Sequence, residues 1–439
     1  MNSLFSARNS HRISELVMIQ THTLDCGLTV LLEPVDSVAS CSIHWLVPSG
    51  TAYENADRTG VSTVLAELLL RGAGSRDSRQ LSEDMDRIGL ERNCGVSESH
   101  VWLVGTVLGQ HLETSLELFS DVIQSPNLPQ NAISACQSLA LQAIESLEDD
   151  AQQEVMLHVR RRHHPEPFNR TGYGYLDVIQ TVTEQELQDA WRSGFVPRGS
   201  ILGLAGKFDA DIVLQTLETR FKDWSGTREE PVRSDKREGG RGHVERDSSQ
   251  VHIGMAWEGP PAGHQNSAFE RLATRILGGS TSGRLFTEVR QRRSLCYSVN
   301  AGYRARKGEG VISLYAGTTP ERASETLEVC EQEIDRLHEG VDANELTRAK
   351  VGLRGSTVFG GERMPARAAS LVGDYYAIGK ARTMEDRLAE IEEVDCKSLN
   401  TYLSSFSPRP RTIVSVGSEP PGDGFEQETP LCQDPVLSH

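Results

Sequence analysis

The stretch Gly60-Val-Ser-Thr-Val-Leu-Ala-Glu-Leu-Leu-Leu-Arg-Gly72 predicts a helix that has a glycine at each end. Its apolar face consists of Val61, Val64, Leu65, Leu68 and Leu69. Thr63 and Glu67 interrupt this face, and because they are four residues apart they lie on the same side of the helix. The pattern therefore indicates a packed helix on which a buried polar site can be built.

The size and charge of the chain limit its domain organisation and its partners. At 439 residues it is too long for a single hydrophobic core, which predicts two or three domains. A hydrophobic content of 37% and a charged content of 24% are ordinary for a globular protein. The net charge of −17 argues against nucleic acid or an anionic membrane as the main partner.

Several features of the sequence favour a cytoplasmic protein. Residues 1–15 contain no apolar segment typical of a secretory signal, and no window approaches the roughly eighteen apolar residues that a membrane-spanning helix needs. The eight cysteines are scattered without a CxxC pair. This distribution favours reduced, mostly buried thiols over a disulfide framework or a zinc cluster.

The order of predicted elements repeats along the chain. A strand at 251–257 and a helix at 266–277 correspond to a strand at 39–47 and to the helix at 60–72. Later strands and helices follow in the same order in both halves, although residue identity between the halves is low. Such a repeat indicates two similar α/β domains of roughly 200 residues each.

The region between the two series predicts the domain boundaries. Residues 227–247 are dominated by charged residues and glycine and offer almost nothing to bury, which is typical of a linker. We therefore predict an N-terminal domain at 16–226 and a C-terminal domain at 248–419. A loose tail is expected at 420–439.

A second passage is specific for a family. It reads Leu277-Gly-Gly-Ser-Thr-Ser-Gly-Arg-Leu-Phe-Thr-Glu-Val-Arg-Gln-Arg-Arg-Ser-Leu-Cys-Tyr-Ser-Val299 and resembles the C-terminal-domain signature of the insulinase-like zinc peptidases, which include the mitochondrial processing peptidases and short bacterial homologues. The resemblance extends over about residues 24–416. It implies an α+β fold, a duplicated half-clam of two homologous α/β domains, each with a mostly antiparallel sheet packed against helices.

The same resemblance assigns the zinc site to the helix at 60–72. Active members carry His-x-x-Glu-His there, since two imidazoles one turn apart bind zinc and the glutamate activates the metal-bound water. Aligned through the terminal glycines, the two histidine positions fall on Thr63 and Glu67, and the glutamate position falls on Ala66. The third ligand, a glutamate of a later helix, falls near Ala143. The resemblance therefore implies a family member that has lost its zinc ligands and its catalytic base.

The sequence gives little support for other residues that could replace the zinc ligands. Glu67 could approach Glu145 and Glu148, and an all-carboxylate site would favour magnesium or calcium over zinc. We expect instead that Glu67 makes a buried hydrogen bond or ion pair, or faces a chamber. The run Arg160-Arg-Arg-His-His164, with nearby His158, is expected to be a solvated helix end rather than a metal site.

One pair of residues matches the family pattern. Arg290 and Tyr297 are seven apart, as are the arginine and tyrosine that face the zinc across the substrate in active members. The resemblance implies that both side chains donate hydrogen bonds to the carbonyl oxygen as it becomes an oxyanion. The alternative is a surface arginine on an arginine-rich helix and an ordinary strand aromatic.

These observations lead to two hypotheses of different classes. The leading one is the non-catalytic subunit of a metalloendopeptidase, which supplies Arg290 and Tyr297 to a zinc-bearing homologous partner and binds extended peptides by strand addition. No cofactor is expected in this chain itself. The alternative is a homodimeric peptide-binding or scaffold protein, and an active enzyme that uses another metal is a weaker third possibility.

Overall fold

A computed structural model describes residues 18–405 and 410–431. The expectation that residues 1–15 lack a secretory signal, and the part of the predicted tail at 432–439, lie outside the described residues. No helix in the described ranges is long and apolar enough to cross a membrane.

The N-terminal half alternates short strands with helices. Its strands are β1 Gln20–Thr23, β2 Thr29–Pro34, β3 Ser40–Val47, β4 Gly72–Ala73, β5 Arg76–Asp77, β6 Glu91–Val96, β7 Val101–Leu108 and β8 Ile201–Gly206. Its helices are α1 Val61–Leu69, α2 Ser78–Arg87, α3 Leu112–Gln124, α4 Gln130–Glu145, α5 Ala151–His163, α6 Leu176–Thr181, α7 Glu184–Gly194 and α8 Ala210–Phe221. Capping boxes begin α2 and α7, where Asp77 and Thr183 accept hydrogen bonds from backbone N–H groups.

The C-terminal half contains the same kinds of element. Its strands are β9 Arg241–Glu245, β10 Val251–Gly259, β11 Cys296–Arg306, β12 Glu309–Thr318, β13 Thr412–Gly417 and β14 Glu426–Glu428. Its helices are α9 Ser267–Gly278, α10 Pro320–Asp335, α11 Ala343–Gly361, α12 Met364–Ile378, α13 Met384–Glu392 and α14 Cys396–Ser404, with a π-helical turn at Phe286–Arg292.

The two halves have matching sheets, which confirms the predicted α+β fold with a repeated domain. The N-terminal sheet has the order β1-β2-β8-β3-β7-β6, and the C-terminal sheet has the order β11-β12-β10-β13-β9-β14. Read in opposite directions, β8, β3, β7 and β6 correspond to β13, β10, β12 and β11. Most neighbours are antiparallel, and the exceptions are β2 with β8 and β9 with both β13 and β14.

Each sheet buries one face against the helices of its own half. In the N-terminal half, alternate residues of β3 enter a core with Phe119 and Phe221, and Trp45 contacts Phe221 at 5.3 Å between ring centroids. In the C-terminal half, alternate residues of β10 and β12 pack against α9 and α10. The period of two along each strand therefore separates a core face from an inner face.

Two helices cross between the halves and cover part of the inner faces. Helix α5, from the N-terminal half of the chain, packs against β10 and β13 of the C-terminal sheet. Helix α12, from the C-terminal half, packs against β3 and β8 of the N-terminal sheet. This exchange joins the two halves, and hydropathy patterns cannot predict it because they do not identify the partner of an amphipathic helix.

The segment predicted as a linker contains structured residues. Its residues 241–245 form β9, in which His243 and Val244 are buried. Likewise, residues 426–428 of the predicted loose tail form β14, and Glu428 is buried. The amino-acid composition did not predict either strand, because their buried side chains include charged and polar residues. These residues are paired with partners that are distant in the sequence.

The expectation of a solvated helix end at 160–164 is wrong. Arg162, His163 and His164 are buried between α5 and the C-terminal sheet. Arg162 donates to Glu428 at 2.6 Å, within a network of buried charges. The sequence places these cations together, but their acidic partners, Glu98, Glu309 and Glu428 among them, are distant in the sequence.

Candidate functional site

Helix α1 begins at a tight contact between two backbone segments. Gly60 has a φ of 129°, which favours glycine, and a Cβ on Gly174 would collide with the backbone of Gly60. The Glu54 carboxyl group accepts hydrogen bonds from the backbone N–H groups of Gly60 at 3.0 Å and Ser62 at 2.6 Å. Burial raises the pKa of Glu54 to about 7, against the opposing effect of these hydrogen bonds. No local motif in the sequence links Glu54 to the start of the helix, so this contact was not predicted.

The first two zinc-site positions are occupied by residues with structural contacts. Thr63 is half-buried and donates its hydroxyl hydrogen to the carbonyl oxygen of Gly172 at 2.9 Å. Ala66 is buried in the interface of α1 with its neighbours. Thr63 thus helps to hold the segment before α6 against α1.

The other two positions are exposed. Glu67 is exposed and has no ion pair with any described residue, so a buried hydrogen bond or ion pair is excluded, and the alternative that it faces a chamber stays a prediction. Its charge contributes, after burial, to raising the pKa of the Cys94 thiol on β6 to about 12. Ala143, on the exposed side of α4, accepts a hydrogen bond from Ser146 through its carbonyl oxygen. Glu67 therefore faces open space next to edge strand β6.

These side chains do not fit a zinc ion. Zinc in peptidases is held by imidazole nitrogens and a carboxylate, with a further carboxylate as base. Here the four positions offer one hydroxyl that is already bonded to a carbonyl oxygen, one exposed carboxylate and two methyl groups. A zinc ion would find a single strong ligand.

The alternative ligand groups are not assembled either. Glu145 and Glu148 are exposed, and the described residues contain no cluster of three or more potential ligands that includes them. The histidines in and just after α5 each contact a different partner. His158 contacts Glu428 at 2.7 Å, His163 contacts Thr412 at 3.0 Å, and His164 contacts Glu309 at 2.8 Å. These histidines serve the contact between α5 and the C-terminal sheet.

Arg290 lies in the π-helical turn and Tyr297 lies near the start of β11, and both side chains are exposed. The π-helical turn ends just after Arg290, and Ser294, with a φ of 52°, reverses the chain into the strand. The register of β11 against β12 shifts between Cys296 and Ser298, so Tyr297 occupies a β-bulge. The bulge turns its ring out of the regular alternation.

The neighbours of Arg290 leave much of its guanidinium open. Its Cζ lies 4.9 Å from the centroid of the Phe286 ring, one turn earlier. Its charge also acts on Cys296, where it opposes the larger effect of burial on that thiol. The guanidinium of Arg290 and the hydroxyl of Tyr297 are therefore hydrogen-bond donors on exposed side chains, seven residues apart in the chain.

Both candidate regions border the open edge of a sheet. Strand β6, next to α1, is an edge strand of the N-terminal sheet. Strand β11, which contains Tyr297, is an edge strand of the C-terminal sheet. Each of these strands pairs with one neighbour among the described residues. An edge strand offers free backbone N–H and C=O groups, which can pair with an added extended segment.

Comparison with protein families supports the resemblance noted in the sequence. A model described as insulinase, peptidase family M16, matches residues 29–167. A second model, described as the peptidase M16 inactive domain, matches residues 181–353. The two models follow each other along the chain and correspond to its two halves.

The chain is also similar along most of its length to curated bacterial proteins. It is 26% identical over 398 residues to an uncharacterized zinc protease of Mycobacterium tuberculosis, and the match covers 88% of this chain and 90% of that protein. It is 22% identical over 395 residues to an uncharacterized zinc protease of Bacillus subtilis, with 87% and 94% covered.

Solved structures show the same fold. A peptidase M16 inactive domain from Pseudomonas fluorescens superimposes with a TM-score of 0.83 at 19% identity and covers 93% of this chain and 100% of its own. A protease from Helicobacter pylori gives a TM-score of 0.81 at 18% identity, with 91% and 100% covered. At these identities the likeness concerns the fold alone.

Proposed function

This chain belongs to the insulinase family of peptidases, M16, and on that premise we propose that it is the non-catalytic subunit of a metalloendopeptidase. A homologous partner would carry the zinc ion, and this chain would supply Arg290, Tyr297 and half of a chamber for extended peptides. Self-association into a dimer is the other arrangement that the half-clam fold allows.

The observation that carries this proposal is the contrast between the two candidate regions. The positions of the zinc ligands hold Thr63, Ala66, Glu67 and Ala143, which do not fit the metal. Arg290 and Tyr297, in contrast, are both exposed, the first in the π-helical turn and the second in the edge strand β11 that follows it. A chain that retains the substrate-facing pair without the metal ligands is suited to act together with another subunit.

The proposed role of the pair follows from its donors. The guanidinium of Arg290 and the hydroxyl of Tyr297 would donate hydrogen bonds to a peptide carbonyl oxygen that gains negative charge during the reaction. Arg290 can also hold the peptide backbone through its remaining N–H groups. The open edge of β11 or β6 would fix the peptide in an extended conformation. The free, mostly buried thiols suit a reducing compartment such as the cytoplasm.

Reconstitution tests this function directly. The chain is purified alone and together with a homologue from the same organism that carries His-x-x-Glu-His, and cleavage of unfolded peptides is followed. We expect no cleavage by the chain alone and chelator-sensitive cleavage by the pair. Chelator-sensitive cleavage by the chain alone would contradict the proposal.

Two variants of the reconstituted complex test the substrate-facing pair. Arg290→Ala and Tyr297→Phe are each expected to lower kcat by about 10²–10³-fold with unchanged subunit association, because a donor to the developing oxyanion is lost. The matched control is Glu67→Gln, at an exposed position of the former zinc site, which is expected to leave turnover unchanged. Unchanged turnover in the first two variants would remove the catalytic role.

One contact favours a second candidate, a homodimeric peptide-binding or scaffold protein. The guanidinium of Arg290 packs on the Phe286 ring of the same π-helical turn. This contact is also expected if Arg290 is inherited from a peptidase ancestor and no longer binds a substrate. In that case a dimer forms from this chain alone, and a zinc-bearing homologue does not bind it. Size-exclusion chromatography of the chain with and without the homologue separates the two candidates.

A further inference from the structure

A groove lies on the inner face of the C-terminal sheet, between α5 and the strands β11 and β12. It has a volume of about 430 Å³. Apolar side chains of α5 and β12, among them Met156, Val159 and Val311, form one part of its lining. The opposite rim is the edge strand β11, where Gly302 is exposed and a Cβ added to it would meet no atom within 4 Å. The groove is therefore open above Gly302.

Three guanidinium groups line this groove. They belong to Arg160 on α5 and to Arg304 and Arg306 on β11. Arg160 and Arg306 share one carboxylate, that of Glu98, and the distance from Arg160 to Glu98 is 3.0 Å. Arg304 is exposed, and no carboxylate of the described residues lies within ion-pair distance of it. The groove thus carries an excess of positive charge, although the chain as a whole has a net charge of −17.

The other acidic side chains around the groove are engaged elsewhere. Glu309 is buried, contacts His164 at 2.8 Å and pairs with Arg233 at 2.9 Å. Glu258, at the end of β10, pairs with Arg237. None of these carboxylates neutralises Arg304.

We propose that this groove holds an acidic side chain, aspartate or glutamate, of an extended peptide that lies along β11. The inference rests on the proposed peptide-binding function and names the class of peptide that the chamber prefers. An aspartate carboxylate can accept two parallel hydrogen bonds from the planar guanidinium of Arg304. The apolar lining of Met156 and Val159 accommodates the rest of that side chain and its neighbours.

The same strand links the groove to the substrate-facing pair. Tyr297 is the second residue of β11 and Arg304 follows seven residues later, so the two residues are about 23 Å apart along an extended strand. A peptide must therefore extend over about eight residues to reach both. Shorter acidic peptides contact only one of the two sites.

Peptide binding to the full-length chain tests the proposal. Fluorescein-labelled twelve-residue peptides that form no helix are compared in three versions, which carry two aspartates, two asparagines or two lysines at the same positions. By fluorescence anisotropy at low salt, we expect the aspartate peptide to bind about fivefold more tightly than the asparagine peptide, and the lysine peptide to bind most weakly.

Two variants locate the preference. Arg304→Gln is expected to equalise the Kd values of the aspartate and asparagine peptides, while the matched control Arg79→Gln, at an exposed arginine of α2, keeps the preference. Gly302→Leu is expected to raise the Kd of all three peptides, because the leucine side chain fills the open part of the groove. A Cβ at this position meets no atom within 4 Å, so the fold is expected to stay intact.

The outcomes separate this proposal from the proposed function. Equal binding of the three peptides by the unaltered chain, or an aspartate preference that survives Arg304→Gln, would overturn the acidic-peptide groove and leave the subunit role untouched. Cleavage by the reconstituted complex reports on the subunit role independently. Absence of binding for all three peptides would overturn both peptide binding and the groove.

Discussion

The two helices that cross between the halves have the same role but different chemistry. Helix α12 presents Ala368, Leu371 and Val372 to the N-terminal sheet, where they are buried against Leu31 and Ile201. Helix α5 presents Val155 and Val159 to the C-terminal sheet, but adds charged and polar side chains that are equally buried, namely Glu154, His158, Arg162 and His163.

The difference shows how one fold can join its halves in two ways. The contact of α12 depends mainly on shape and buried area, and its ion pair with the sheet joins Arg367 to the Glu33 carboxylate. The contact of α5 depends on Glu428, which accepts from His158 at 2.7 Å, Arg161 at 2.9 Å and Arg162 at 2.6 Å. The buried carboxylate of Glu428 is therefore shared by three side chains of α5 that lie more than 260 residues earlier in the chain.

The largest expected effect is the loss of that carboxylate. Glu428→Ala leaves the buried Arg162 without its buried counter-charge, so we expect the free energy of unfolding to fall by about 3–5 kcal/mol. Urea denaturation followed by circular dichroism at pH 7 measures the change. The control is Glu426→Ala, two residues earlier on the same strand, whose carboxylate is 72% exposed and pairs with the same arginine. A change of similar size in both variants would contradict the special role of Glu428.

Truncation of the apolar contact is expected to come second. Leu371→Ala removes a buried side chain that packs between α12 and the N-terminal sheet, and we expect a loss of about 2–4 kcal/mol from the cavity and the lost burial. The same denaturation experiment applies. If α12 were bound mainly by its polar contacts, this variant would lose less than 1 kcal/mol.

Acid is expected to weaken the α5 contact over two pH ranges, one for His163 and one for Glu428. Burial lowers the pKa of His163 to about 4, so the folded state resists protonation and stability falls as the pH decreases from 6.5 to 4. Hydrogen bonds from His158 and Arg162 outweigh burial and lower the pKa of Glu428 to about 2, so its stabilisation is present above 4.5 and is lost as the pH falls towards 2. Each group changes the free energy of unfolding by at most about 1.4 kcal/mol per pH unit.

Thermal unfolding between pH 7 and pH 3 measures this dependence in the unaltered chain and in both variants. Leu371→Ala should keep the acid dependence of the unaltered chain, because its side chain does not titrate. Glu428→Ala should lose the part below pH 4.5. An identical pH profile in all three proteins would show that the α5 network does not contribute to it.

The smallest effect is expected at Glu33, whose carboxylate pairs with Arg367 between the N-terminal sheet and α12. Burial raises the pKa of Glu33 despite its ion pair with Arg367, so stability falls as the pH rises through that raised pKa, the opposite sign to Glu428. Glu33→Gln should therefore change the free energy of unfolding at pH 7 by less than about 1 kcal/mol. A loss as large as that of Glu428→Ala would show that the two helices are held in the same way.

Much of the fold follows from local patterns in the sequence. The apolar period of 3.6 residues predicted helices at 60–72 and 266–277, which are observed as α1 and α9, and the repeat of elements predicted two related halves. The strands β9 and β14 were missed because their sequences are short and polar. Such strands are stabilised by pairing with neighbours, which a sequence window does not contain.

The candidate site was predicted unevenly for a physical reason. The residue types at Thr63, Ala66, Glu67 and Ala143 are read directly from the sequence, and so is the absence of imidazole there. For Glu67 the sequence left a buried contact and a chamber-facing position open, because the exposure of a polar residue on an amphipathic helix depends on which neighbours cover that side; the observed exposure excludes the buried contact. No pattern in the sequence indicated Arg304, Arg306 or the groove beside them, because the groove depends on how α5 packs against the C-terminal sheet.

The sequence by itself determined the family, the order of strands and helices and the chemistry that is missing from α1, because these depend on residue type and spacing. The tertiary structure alone decided that α5 and α12 exchange sheets, that Glu428 neutralises Arg162, and that Arg304 lies without a counter-charge beside a groove. These features arise from contacts between residues that are far apart in the chain. Electrostatic and packing energies depend on distance in space, and spacing along the sequence does not encode that distance.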